Sequence, residues 1–131
     1  MQLIKWTRFL SVGIKDIDEQ HKNFINLINK SYEAYKKKDQ KEMNEELNGL
    51  IEYARIHFST EEKYFEKWEY PYKDEHMSEH EKLLRKVLSY KDDFEANRCD
   101  CNKFIKFLVD WLENHLKHHD FKYRDYFNEQ G

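Results

Sequence analysis

The chain has 131 residues, of which 37% are charged and 39% hydrophobic, and its formal net charge is −3. This length suits one domain around one hydrophobic core. The small net charge, with both signs interspersed, argues against a nucleic-acid partner. No stretch has the apolar length of a membrane span or the apolar core of a signal peptide. We therefore expect a cytoplasmic monomer without membrane insertion.

Apolar residues spaced by three and four predict four long helices, and only three glycines and one proline interrupt the chain. In chain order, an ordered arm over 1–17 precedes helices at about 18–37, 41–69, 74–95 and 102–127. Short links imply antiparallel neighbours, so the predicted fold is all-α: one domain over 1–131, an up-down-up-down antiparallel four-helix bundle. Asp16 or Asp18 is expected to cap the first helix. Pro71 marks the break between the second and third.

The link between the third and fourth helices carries Cys99 and Cys101 in a C-x-C pattern. Two cysteines this close are too few for a disulfide framework. We interpret them as free thiols without a part in the site that the helices form.

Seven polar side chains fall on or beside the apolar stripes of the predicted helices, where an unpaired carboxylate would be costly to bury. One such histidine alone is best read as a hydrogen-bonded core residue. Five histidines and two acids converging from four helices instead predict a metal site. Within two pairs of this set the residues are four apart and share a helix face. The set is His21, His57, Glu61, His76, His80, His115 and Asp120.

On the fourth helix the spacing leaves two candidates for the ligand that follows His115. His119 is four residues on and so lies on the same face, whereas Asp120 is about 140° further round an ideal helix. Spacing slightly favours His119 and does not decide between them.

Imidazoles and carboxylates without a thiolate suit iron, zinc or manganese. Seven side-chain ligands exceed the needs of one ion, so the set predicts two metals. Suppose that both acids and one solvent-derived ligand bridge the two metals. Only one coordination position of two octahedral ions then stays open. A single open position in an apolar cage fits a small ligand such as dioxygen.

The chain resembles the hemerythrins, most closely the single-domain bacterial members, over essentially its whole length. The resemblance rests on the arm with Trp6-Thr7 and Phe9-Leu10-Ser11-Val12-Gly13, the entry Asp16-Ile17-Asp18-Glu19-Gln20-His21, the pairs His57-x-x-x-Glu61 and His76-x-x-x-His80, and Trp111-Leu112-x-x-His115-x-x-x-x-Asp120-x-x-Tyr123. It implies that Asp120, not His119, is the second bridging ligand. It also implies two non-haem iron ions (Fe²⁺/Fe³⁺) with a solvent-derived oxo or hydroxo bridge. One iron would be held by His76, His80 and His115, and the other by His21 and His57. His118 and His119 match no ligand of the family.

The function that the resemblance implies is reversible dioxygen binding, for storage, transport or delivery to an oxygen-using enzyme, without catalysis. The rivals are an O₂ or NO sensor and a di-iron oxidase or peroxidase. The set contains five histidines and only two acids. A site with few anionic ligands stabilises high iron oxidation states less than a carboxylate-rich site does, so this composition favours reversible binding. We expect four apolar residues to line the dioxygen pocket, and ordinary core packing is the alternative interpretation of them. These residues are Phe24, Phe58, Leu112 and Leu116.

Overall fold

The computed structural model describes residues 4–130, with side chains as far as Tyr126, so residues 1–3 of the predicted arm lie outside it. Every regular element of the described part is helical, which confirms the predicted all-α four-helix bundle. A π turn joins the last two helices into one continuous fourth rod. The elements are a 3₁₀ turn at Arg8–Leu10, α1 at Lys15–Lys37, α2 at Gln40–Trp68, α3 at Lys73–Glu95, α4 at Cys101–His115, the π turn at Leu116–Asp120, and α5 at Phe121–Gln130.

Side-chain caps and a left-handed residue set where the helices begin and end. The Asp39 carboxylate accepts a hydrogen bond from the Glu42 N–H at 3.0 Å, and Asp100 accepts one from the Lys103 N–H at 3.1 Å. Each bond satisfies one of the N–H groups that a helix start leaves without a partner. At the end of α1, Lys38 takes the left-handed conformation with φ 57°. This conformation reverses the chain into α2.

The core consists of two apolar clusters, and the polar residues predicted as ligands lie where they meet. The larger cluster fills the bundle and includes Ile28, Leu47, Leu50, Leu83 and Leu108. The smaller one joins the arm to the ends of α2 and the fourth rod, with Val12, Ile17, Phe65, Tyr70 and Tyr123. Among the described residues, none of the helices combines the length and the hydropathy that crossing a lipid bilayer requires.

The start of α1 differs from the prediction, because neither Asp16 nor Asp18 is its N-cap. The helix begins at Lys15 and no side chain caps it. Asp18 lies in the first turn, where its carboxylate accepts hydrogen bonds from the Val12 N–H at 2.9 Å and from the Ser11 hydroxyl. Its hydrogen-bonding capacity is used on the arm, so it joins the arm to α1.

A second pair of bonds holds the far end of the arm. The Ile4 N–H donates to the Asn29 side-chain oxygen at 3.0 Å, and the Asn29 amide donates to the Ile4 carbonyl at 2.8 Å. Directly after the anchor at Val12, Gly13 has φ 77°, which strains any residue with a Cβ atom. The arm is therefore ordered through specific bonds to α1.

We predict that Asp18→Ala destabilises the protein by roughly 1.5 kcal/mol, the lower end for a hydrogen bond to a charged group because the carboxylate is only partly buried. Equilibrium urea unfolding measures the change. Glu19→Ala is the matched control, since Glu19 makes only an exposed ion pair with Lys22. Equal unfolding free energies for the two variants would contradict this role of Asp18.

Candidate metal centre

All seven of the predicted ligand residues come together in one buried cluster in which no residue is more than 3% exposed. Their donor atoms form two groups, and within each group all donor atoms lie within 4.8 Å of one another. Three histidines belong to one group and two to the other. The groups are Glu61 with His76, His80 and His115, and Glu61 and Asp120 with His21 and His57.

The helical period places the ligands of α2 and α3. His57 and Glu61 are one turn apart on α2, and His76 and His80 are one turn apart on α3. Each pair therefore projects from one helix face into the space between the helices. Glu61 Oε1 lies 3.0 Å from Nε2 of His57, 3.3 Å from Nε2 of His76 and 2.8 Å from Nε2 of His80. This oxygen thus contacts histidines of both groups.

Asp120 spans the two groups through its two oxygens. Oδ1 lies 3.1 Å from Nε2 of His76 and 3.0 Å from Nε2 of His115. Oδ2 lies 3.0 Å from Nε2 of His21. One oxygen faces the three-histidine group and the other faces the two-histidine group, which is the placement that a bridging carboxylate needs.

The π turn is what brings Asp120 to the site in place of His119. In this turn the Phe121 N–H bonds to the Leu116 carbonyl, five residues back. Hydrogen bonds of this span widen the helix, so that residues five apart lie one above the other. Asp120 is fully buried below His115, while the ring of His119 is 5.3 Å from that of His115 and lines a surface cleft of about 160 Å³.

Aromatic rings pack against four of the five histidines and fix the planes of their imidazoles. Three of these contacts are stacked: Phe58 on His80 at 3.9 Å between ring centroids, Trp111 on His115 at 4.3 Å, and Tyr53 on His57 at 5.3 Å. The fourth is edge-on, between Phe65 and His76 at 4.9 Å. Such contacts hold donor atoms in place before any metal binds.

A hydrogen-bond chain fixes the protonation of His57. Its Nδ1 lies 2.8 Å from Oε1 of Gln20, and the Gln20 amide donates in turn to the Thr60 hydroxyl at 2.9 Å. Because that amide oxygen can only accept, Nδ1 carries the proton and donates it. The Nε2 lone pair of His57 is then free to face the cluster.

The electrostatics of the cluster favour ionised carboxylates. Burial acts to raise the pKa of Glu61, but His57 and His76 hold it well below its usual value. Burial and Glu61 act to raise the pKa of Asp120, but His115 and His21 hold it well below as well. Two buried negative charges therefore depend on positive charge supplied beside them.

Without a metal, that positive charge comes from protons on histidines. Burial acts to lower the pKa of His76, but Glu61 and Asp120 raise it to about 10. Burial lowers the pKa of His80 to about 3, so that histidine stays neutral. Neutral imidazoles and ionised carboxylates are the forms that bind metals.

The donor atoms fit a pair of cations better than they fit one another. Both oxygens of Glu61 and of Asp120 lack a hydrogen bond of good geometry, and so do the Nε2 atoms of His76, His80 and His115. Buried polar atoms are normally paired, so this concentration of orphaned atoms calls for a missing partner. Imidazole and carboxylate donors suit a borderline divalent cation. The two clusters are thus suited to a di-metal site.

Comparison with known proteins agrees with this geometry. The model of the hemerythrin HHE cation binding domain matches residues 12–126. The chain belongs to the hemerythrin family. It is 30% identical over 125 residues to the bacteriohemerythrin of Stenotrophomonas maltophilia and 31% identical over 125 residues to that of Pseudomonas aeruginosa; each alignment covers 95% of this chain and 82% of the relative. A crystal structure of wild-type hemerythrin superimposes with a TM-score of 0.87 at 28% identity, over 94% of this chain and 96% of that one.

The resemblance to the hemerythrins is therefore confirmed, and the remaining predicted site residues can be located within that family's fold. Phe24, Phe58, Leu112 and Leu116 are all buried in the larger apolar cluster. Phe58 touches a histidine of the site directly through its ring stack on His80. Their part in a dioxygen pocket stays a prediction.

Sequence reasoning assigned no role to three residues that border this site, although Gln20 and Tyr123 stand in the motifs that carry the resemblance. Gln20 orients His57, Tyr53 stacks on the same ring, and the fully buried Tyr123 has its ring 5.4 Å from that of His76. Burial raises the pKa of Tyr123 well above its usual value, and the Glu61 and Asp120 carboxylates raise it further. The available signal was spacing: Gln20 adjoins His21, and Tyr53 precedes His57 by one turn.

We predict that His57→Ala and His80→Ala each lower the metal content sharply, because each removes a donor from a different group. Elemental analysis of the purified variants measures the loss. His118→Ala is the control, since His118 is exposed and contacts neither group. Two full metal equivalents in both variants would rule out the assigned ligand set.

A second pair of variants tests the π turn. Asp120→Ala should lose at least one metal equivalent, because one carboxylate spans both groups. His119→Ala should retain its metals, because His119 belongs to neither group. Metal content is again the measurement, and the reverse result would show that His119 is the ligand.

Proposed function

We propose that this hemerythrin-family protein binds dioxygen reversibly at a centre of two iron ions, for storage, transport or delivery to an oxygen-using enzyme. The observation that carries the proposal is the composition of the buried cluster: five imidazoles and only two carboxylates, with the histidines divided three to two. With one imidazole fewer, the two-histidine group would leave room on its metal for a small ligand. Relatives named bacteriohemerythrins support it.

In this proposal Glu61 and Asp120 are the carboxylates that would help to hold both irons. Both carboxylates already face histidines of both groups at 2.8–3.3 Å. The terminal ligands are His76, His80 and His115 on one iron and His21 and His57 on the other. Two irons with a solvent-derived oxo or hydroxo bridge would supply the reversible redox chemistry that dioxygen binding needs.

The chain's own task is to hold the donors still and to keep water out. Gln20 and the stacked aromatic rings fix the imidazoles. The proposed pocket wall is apolar and consists of Phe24, Phe58, Leu112 and Leu116, each at most 8% exposed. A dry wall would exclude the water and protons that are needed for the irons to lose two electrons to dioxygen and release it as hydrogen peroxide.

The two buried tyrosines beside the cluster are poor proton donors. Burial raises the pKa of Tyr53 well above its usual value, and the carboxylates of Glu61 and Asp120 raise it further. The same causes act on Tyr123. Both phenols therefore keep their protons beside the metal-free cluster.

One experiment separates these functions. The iron-loaded protein is reduced anaerobically, exposed to O₂ and then placed under vacuum, and its optical spectrum is followed throughout. A carrier returns to the reduced spectrum under vacuum with two irons per chain. An oxidase instead ends as ferric protein with peroxide or water, which would overturn the proposal. Zinc-loaded protein is the control, because zinc uses the same donor types and has no redox chemistry.

We predict that Leu112→Ala binds O₂ but autoxidises markedly faster. Leu112 precedes His115 by three residues on the same helix face, and truncating it opens a cavity at the site. The cavity should cost roughly 2–5 kcal/mol of stability and admit water. Spectral decay of the oxygenated protein measures the rate.

Leu108→Ala is the matched control for the prediction on Leu112. Leu108 is also fully buried on α4 but lies a turn further from His115. It should lose similar stability and autoxidise at the parent rate. Equal autoxidation of Leu112→Ala and the parent would refute the pocket assignment.

A further inference from the structure

The two cysteines lie at the opposite end of the bundle from the histidine cluster. Cys101 is the first residue of α4, and His115 is its last. At 1.5 Å per residue the two are separated by roughly 21 Å along the helix axis. A site built on the cysteines is therefore independent of the di-iron centre and of the function proposed for it.

The link between α3 and α4 holds the two thiols together. Sγ of Cys99 and Sγ of Cys101 are 2.8 Å apart, and both residues are free and partly exposed. The link folds back on α3, because Asn97 has φ 58° and the Arg98 N–H donates to the Asp93 carbonyl at 2.7 Å. The two sulfur atoms that follow this turn lie next to each other at the start of α4.

The thiols open into a cleft between the two helix links at this end of the bundle. The cleft has a volume of about 390 Å³, and its lining includes the thioether residue Met43 and two cationic side chains, Lys36 and Lys38. Three sulfur-bearing residues therefore line one cavity that is accessible from solvent, and its charged lining residues are the two lysines and Asp39.

We propose that Cys99 and Cys101 bind one Cu⁺ ion as a pair of thiolates, with the Met43 thioether as a third donor. Thiolate and thioether sulfurs are soft donors, which select Cu⁺. Zn²⁺ prefers four nitrogen or sulfur ligands. In the described part of the chain, neither cysteine belongs to a group of three or more candidate metal-binding side chains. The four-ligand set that Zn²⁺ prefers is therefore incomplete at the two thiols.

The Cys99 and Cys101 thiols must lose their protons when a metal ion binds to them. Burial raises the pKa of Cys99 to about 12, and its contact with Cys101 contributes. A protonated thiol reacts slowly with oxidants, and a metal ion has to displace the proton in order to bind. Binding converts two thiols and Cu⁺ into an anionic bis-thiolate complex and two free protons. Lys36 and Lys38 then compensate its single negative charge.

The test is an anaerobic titration of the reduced, iron-loaded protein with Cu⁺ held by a chromophoric chelator. One copper per chain should leave the chelator, with the iron spectrum unchanged. The double variant Cys99→Ser/Cys101→Ser should retain its iron and lose copper affinity by more than the roughly 10–100-fold that loss of an outer-shell partner costs. Copper K-edge absorption should show sulfur neighbours.

Two conservative variants isolate the thioether. Met43→Leu preserves volume at a buried position and should weaken Cu⁺ binding, whereas Met77→Leu on α3 should not. Equal affinity in these two variants would overturn the part assigned to Met43. Copper bound equally by the double serine variant, displacement of iron by copper, or stoichiometric Zn²⁺ binding by the thiols would overturn the site. A disulfide that persists in the reduced protein would do the same.

Discussion

Two carboxylates, Glu61 and Asp120, are fully buried in the middle of the bundle. The surrounding structure has to offset the free-energy cost of burying them. Removing a carboxylate from water costs several kcal/mol even after the protein relaxes. The five imidazoles around them offset part of that cost. The carboxylates raise the pKa of His76, whereas burial lowers the pKa of His80. Protons on the histidines replace metal cations only in part, because many donor atoms of the cluster still lack a hydrogen bond. Two cations would satisfy the same atoms at once.

Packing makes this polar cluster rigid. The rings of Phe58, Trp111 and Tyr53 lie flat on three imidazoles, so the aromatic side chains of the core also position the donors. The same rings exclude water, which strengthens every interaction between charges inside. Fold stability and site geometry are therefore properties of one set of contacts. A substitution in this shell should alter both together.

The potential donors separate by chemistry along the bundle. Nitrogen and oxygen donors meet where α2 ends and α3 begins, while the sulfur atoms of Cys99, Cys101 and Met43 border a cleft at the other end. Borderline cations prefer the first set and soft cations the second. If both proposed sites bind their metals, this separation would let one small helical domain hold two kinds of metal without competition between them.

Much of the site was predictable from sequence because it depends on the helical period. That period alone places His57 with Glu61 and His76 with His80, and the apolar stripes alone predict four helices and a bundle. The period failed where the backbone departs from it. A π turn shifts the register by one residue, so spacing favoured His119 while the fold buries Asp120. Asp18 was a wrong candidate for the N-cap of α1, because the hydrogen-bond partners of its carboxylate lie in the arm.

The amino-acid sequence by itself determined which residue types were available, on which helix faces, and hence the fold class and the family. Only the tertiary structure decided that both carboxylates face histidines of both donor groups, that Gln20 orients His57, and that two thiols meet in a cleft with Met43. The physical reason is the range of the interactions. Periodicity follows from bonds between near neighbours in the chain, whereas a metal site and a cleft depend on distances between helices that only packing sets.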